Sequence, residues 1–198
     1  MKLYKSRTNS GALTAEYAST MYVMFTFLVF PVINYATLGL RSFFLWYAAN
    51  QAVMTACKAK TYYQNVYIPT TPPNTLFYGA YTLGRARAQT IQQAFGGFTF
   101  LPEPINGRPN PNVEILVEPI DPNSTVGTKV YWYGAGAPMG LGNAPDTSQY
   151  VVTCRVTIKA NVYPLVSVPF LNVPGLSGPV EIDVAAQSQY ENVPGLQI

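Results

Sequence analysis

The sequence predicts an α+β protein with a long N-terminal membrane-spanning helix, a short second helix and a C-terminal antiparallel sheet of about four strands. Three observations carry that prediction. No Asp, Glu, Lys, Arg or His occurs between Glu16 and Arg41, and neither Gly nor Pro interrupts residues 41–63. Late in the chain, apolar and polar residues alternate over 150–162 and again over 180–190, the period of half-buried strands.

The first element begins with a basic tip. Lys2, Lys5 and Arg7 precede residue 12, so the remaining chain carries 9 basic side chains (12 − 3) against 9 acidic ones. The tip is followed by the apolar run 17–40, which includes Met21, Phe25, Phe27, Leu28 and Ile33. These 24 residues exceed the ~20 that cross a bilayer as a helix. They are also longer than the apolar stretch of a secretory signal, and Leu38-Gly39-Leu40-Arg41 offers no small-x-small cleavage site. A retained membrane helix is therefore expected, with its basic end cytoplasmic and everything after about residue 40 outside. The alternative is the buried core helix of a soluble protein.

The helix is expected to continue to residue 63, so that 11–63 forms a rod of about 80 Å. Pro31 removes one amide and crowds the carbonyl of Phe27, which should kink or loosen the rod there. Ala48, Ala52 and Ala56 recur every fourth residue, either to admit a close neighbour or simply as good helix formers. Residues 68–74 (IPTTPPN) break the chain. A second helix is expected over 83–95, ended by Gly96-Gly97. Strands are expected at 113–118, 128–133, 150–162 and 180–190. Between the last two lies an apolar connection with Pro164, Pro169, Pro174 and Pro179 spaced by five. It contains Asn172-Val173-Pro174-Gly175-Leu176, repeated as residues 192–196, and each Pro-Gly suits the centre of a type II turn. Such a segment either covers one end of the core or forms a contact surface. The organisation read from the chain is a leader over 1–11, a helix over 12–63 with its span at about 17–40, and an extracytoplasmic α+β domain over 64–198.

Catalytic chemistry finds little support. The chain has no His, which removes most triads, proton shuttles and zinc sites. Its acids show no recognisable metal or acid/base spacing; Glu114 with Glu118, and Glu181 with Asp183, read as solvated or rim positions beside strands. The glycine-rich run 134–142 lacks the Lys-Ser/Thr of a phosphate loop. No enzyme activity, cofactor or metal is expected, and a net charge of +3 does not argue for nucleic acid. The two cysteines are more informative. Cys154 falls on the apolar face of its strand and Cys57 near the outer end of the helix. If the helix packs on that face the two meet, and a Cys57–Cys154 disulfide is expected outside the cytoplasm. Two buried free thiols are the alternative.

The membrane boundary carries a family resemblance. Gly11-Ala12-Leu13-Thr14-Ala15-Glu16-Tyr17 resembles the processing site of type IV pilin-like proteins, in the G-x-x-x-x-E-Y form of tight-adherence pili. With Ala18 next, it is similar to the start of TadE/TadG-like pseudopilins, a resemblance covering roughly residues 7–59. The end of the chain, with Tyr163-Pro164-Leu165 between strands, is similar too. The resemblance implies a pilin-like fold and a prepilin peptidase that cuts between Gly11 and Ala12. It makes Glu16, Tyr17 and Pro31 assembly residues, with Glu16 pairing with the new amine of Ala12 on a neighbour. The implied partners are other pilin-like subunits, the peptidase, an inner-membrane assembly platform and, before assembly, membrane lipid. The implied role is a minor or priming pilus subunit in the inner membrane, then in a surface filament. A membrane-tethered extracytoplasmic binding module that never polymerises is the alternative.

Overall fold

The computed structural model describes residues 10–59, 66–68, 75–102, 107–125, 127–132, 146–168, 173–191 and 193. The leader up to residue 9, the end of the expected helix at 60–63, the 134–142 glycine run and most of the second Asn-Val-Pro-Gly-Leu copy lie outside them.

The N-terminal rod is one continuous helical path: α1 (Ser10–Met24), a π-helical segment (Phe25–Val29) and α2 (Phe30–Ala56). The loosening expected at Pro31 takes the form of that π segment. A proline cannot donate to the turn before it, and the turn widens so that the Phe30 amide donates to the Phe25 carbonyl, five residues back. The α-helix ends at Ala56 rather than running on towards 63. There the turns tighten, with the Ala59 amide donating to the Ala56 carbonyl at 3.0 Å. The carbonyls of Cys57 and Ala59, both buried residues at this helix end, accept from the Glu191 amide at 3.3 Å and the Tyr190 hydroxyl at 2.9 Å. The far end of the chain thus supplies the donors that satisfy this terminus, which no local pattern reveals.

After a two-stranded hairpin, β1 (Val66–Ile68) and β2 (Thr75–Phe77), which flanks the Pro/Thr breaker, comes α3 (Ala80–Phe95). It starts three residues earlier than expected, with the Leu83 amide donating to the Gly79 carbonyl at 3.0 Å. It stops at Gly96, whose φ of +61° suits glycine. The main sheet has five antiparallel strands: β3 (Phe98–Phe100), β4 (Asn112–Pro119), β5 (Lys129–Trp132), β6 (Tyr150–Val162) and β7 (Val180–Gln189). β6 is the spine. One edge pairs with β4 from Tyr150 to Thr157 and with β3 from Ala160 to Val162, and the opposite edge pairs with β7. The extra strand, β3, is three residues long, too short to show alternation.

On the inward face of β6, Cys154, Val156, Ile158 and Val162 have no exposure. Across from them lie Leu45, Ala48, Ala52 and Ala56 of α2, equally buried. The alanine stripe therefore serves contacts inside this chain. Gly84 of α3 sits over it, and a Cβ there would lie 3.3 Å from Ala56 Cβ and 3.1 Å from Val113 Cγ2. The outer half of the rod is thus built into the core of the sheet domain, where each buried Leu, Val or Ile contributes roughly 1.5–3 kcal/mol.

Candidate membrane and assembly surface

The inner half of the rod is bare. Tyr22 and Phe27 are each 71% exposed, and only 11% of the most apolar stretch is buried. A core helix of a soluble protein would be covered, so the exposed surface argues against that alternative. By length and composition the helix can cross a membrane. Its hydroxyls turn inward on their own backbone: Thr20 Oγ1 donates to the Glu16 carbonyl at 2.9 Å and Thr37 Oγ1 to that of Ile33 at 2.8 Å. This satisfies polar groups that lipid would leave unpaired.

Gly11 and Ala12 lie in the first turn of α1. Glu16 is the seventh residue of that helix and is exposed, and the first turn contains no acid. In the uncut chain, then, Glu16 does not cap the helix, and its carboxylate makes no ion pair among the described residues. Tyr17 beside it is 62% exposed. Pro31 is half-buried just beyond the π segment.

At the outer end of the apolar run the helix meets the β6–β7 connection. Arg41 Nη1 donates to the carbonyls of Tyr163 at 2.6 Å and Pro164 at 2.9 Å. Its side chain lies against Gly97, at φ +74°, where a Cβ would collide with it. The Val166 amide donates to Asn34 Oδ1 at 3.0 Å, and the Tyr35 hydroxyl to the Pro174 carbonyl at 3.3 Å. The expected turn at Pro174-Gly175 is present, with Gly175 at φ +80° and the Leu176 amide donating to the Val173 carbonyl at 3.0 Å.

The structure brings Cys57 and Cys154 together as free, buried thiols. Cys57 Sγ also reaches the carbonyl of Ser188, the β7 residue paired with Cys154, at 3.5 Å. The thiol of Cys154 donates to Cys57 and lowers its pKa, outweighing burial, with smaller help from the Ser188 side chain. Contact with Cys57, together with burial, pushes Cys154 well up. Cys57 is therefore the thiol that ionises first, and the thiolate is the attacking species in disulfide formation.

One expectation is corrected. Glu114 is not a solvated rim residue: it is 1% exposed, ion-paired to both Arg108 and Arg155, and accepts from Asn112 Nδ2 at 2.8 Å. Arg155 stands opposite Glu114 in the β4–β6 register, a pairing invisible until the register is known. By contrast, Glu181 is exposed and lies 3.7 Å from Lys159 Nζ. An open cleft of about 430 Å³, lined by Ile120, Asp121, Ser148 and Tyr150 among others, lies at the Pro119 end of the sheet. The one acid lining it, Asp121, holds its own turn through the Asn123 amide at 2.9 Å. Among the described residues no group of three His, Cys, Asp or Glu side chains could hold a metal ion. No family model, curated protein or solved structure matches the chain.

Proposed function

We propose that this chain is a pilin-like structural subunit, a minor or priming subunit of a tight-adherence pilus, assembled through its N-terminal helix. The observation that carries this reading is the continuity of the rod. A continuous helical path starts at the Gly11–Tyr17 motif, is largely bare and apolar from Tyr17 on, and runs into the core of the outer domain at Leu45, Ala48 and Ala52. A joint of that kind transmits load from packed helices to the domain they carry.

Cutting between Gly11 and Ala12 removes Lys2, Lys5 and Arg7, the charges that hold the leader at the cytoplasmic face. It also places a new amine about 6 Å along the helix axis from Glu16. A neighbour shifted by roughly one turn would bring its Ala12 amine level with that carboxylate. In an apolar bundle an unpaired carboxylate is expensive and a charge-assisted hydrogen bond strong, so the pair selects one axial register. The proposed partners are like subunits, the prepilin peptidase, the assembly platform and lipid.

The test is recovery of Glu16→Leu and Glu16→Gln chains in sheared filaments relative to the membrane fraction. Both are expected to insert, be cut and fold, and to be lost from filaments. Normal incorporation of both would remove Glu16 from assembly. Native protein that keeps its leader in cells with an active peptidase would favour the tethered module.

A further inference from the structure

The 18 residues from Tyr163 to Val180 contain no charged side chain. The structure lays this connection against the rod at Asn34, Tyr35, Leu38 and Arg41. The first three belong to the outer end of the expected span, and Asn34 lies about 10 Å below Arg41 along the helix. Measured the other way, Asn34 is about 27 Å from Glu16, close to the ~30 Å of a bilayer's hydrocarbon core. When Glu16 sits at one edge of the hydrocarbon, the connection sits at the other.

Its surface suits that position. Leu165 is 54%, Val166 47% and Val173 38% exposed, beside the equally bare Val32 and Ile33 of the helix (62% and 48%). Irregular backbone at membrane depth must satisfy its own polar groups, and the described residues of this segment, 163–168 and 173–180, make several such bonds. Four prolines remove donors. The Val168 amide donates to the Leu176 carbonyl at 2.7 Å, Ser167 Oγ to the Ser177 carbonyl at 2.9 Å, and the Val166 amide to Asn34. Asn34 itself, the one side-chain amide of the span, is 1% exposed and accepts from this connection.

We propose that the described flanks of the β6–β7 connection, residues 163–168 and 173–180, form a second membrane contact, seated in the headgroup–acyl boundary of the outer leaflet with Leu165, Val166 and Val173 in lipid. This rests on the reading that the helix spans the membrane. The occupant is lipid because the exposed patch continues the lipid-facing surface of the helix and carries no charge to meet a polar partner. The contact fixes the height and tilt of the outer domain above the bilayer before assembly.

The test uses the full-length chain in phosphatidylcholine vesicles, with Trp46 and Trp132 replaced by Phe and a single tryptophan introduced by Val166→Trp. Its fluorescence is compared in lipid brominated near the headgroup and near the chain ends. Strong quenching by the shallow bromines and weak quenching by the deep ones is expected. Leu165→Trp, one position away, repeats the measurement should the first variant misfold, and Ile120→Trp, next to the start of β6 and so at the far end of that strand from the connection, should stay unquenched. A Phe27→Trp reporter separates the two readings. If it is quenched by deep bromines while neither connection reporter is quenched, this proposal fails and the spanning helix stands. If none of the three is quenched, both fail. Emission at the connection reporters that follows protein-to-lipid ratio and ignores bromination would mean that a second copy covers the patch, and would overturn the proposal.

Discussion

Closing the Cys57–Cys154 bond is the sharpest perturbation available, because the fold already holds the two thiols in contact at the joint between rod and sheet. The closed loop spans 97 residues (154 − 57), and restricting that loop in the unfolded chain gives a ceiling of about 4.7 kcal/mol. For a chain of this size each kcal/mol moves the melting temperature by about 2–4 °C, so the bond should raise it by at most roughly 10–20 °C. The assay is thermal unfolding of the full chain in detergent, with and without reductant, beside a count of thiols in the denatured, unreduced protein. Zero thiols and a large drop on reduction are expected, and Cys57→Ser should melt near the reduced protein. Because Cys57 is the thiol with the lowered pKa, re-oxidation of the reduced chain should speed up with rising pH and level off below the ordinary range of a free thiol. Two reactive thiols in protein taken from its native compartment would refute the bond, and a melting temperature indifferent to reductant would refute the magnitude.

Glu114→Ala should cost about 3 kcal/mol in urea unfolding, the lower end for breaking a buried pair, because both arginine partners reach water. A loss under about 1 kcal/mol would return Glu114 to the class of exposed pairs. Gly84→Val should cost about 1–3 kcal/mol, since the contacts at Ala56 and Val113 leave no room for branching at Cβ; unchanged stability would show that α3 can move aside. Gly11→Val should leave the chain uncut in the membrane with the outer domain intact. N-terminal sequencing of that variant reading from Ala12 would rule out Gly11 as the recognition point.

Much of this architecture could be read from local pattern. The charge-free run, the alternation over β6 and β7 and the Gly96-Gly97 stop each depend on neighbours within a few residues, and the structure carries all three. The meeting of Cys57 and Cys154 was legible as well, because a strand's alternating faces and a helix's apolar side must stack somewhere. What failed to show was whatever depends on a distant partner. The helix ends at Ala56 because Tyr190 and Glu191 cap it from the other end of the chain. Glu114 is buried because register sets Arg155 opposite it and Arg108 alongside.

The sequence by itself determined the elements and the polarity of their faces, since helix and strand periods and the bilayer's length scale act on contiguous residues. It also carried the Gly11–Tyr17 motif, which no fold is needed to read. Only the tertiary structure decided which side chains of the rod are covered and which remain bare. Ala48, Ala52 and Ala56 have the spacing that admits a close neighbour, and the neighbours are the sheet and α3 of the same chain. The β6–β7 connection had two equal readings until its hydrogen bonds to Asn34, Tyr35 and Arg41 set it beside the apolar end of the span. Contacts across more than a hundred residues arise from which faces are left to pack once the local elements have formed, and that choice is made by the whole fold.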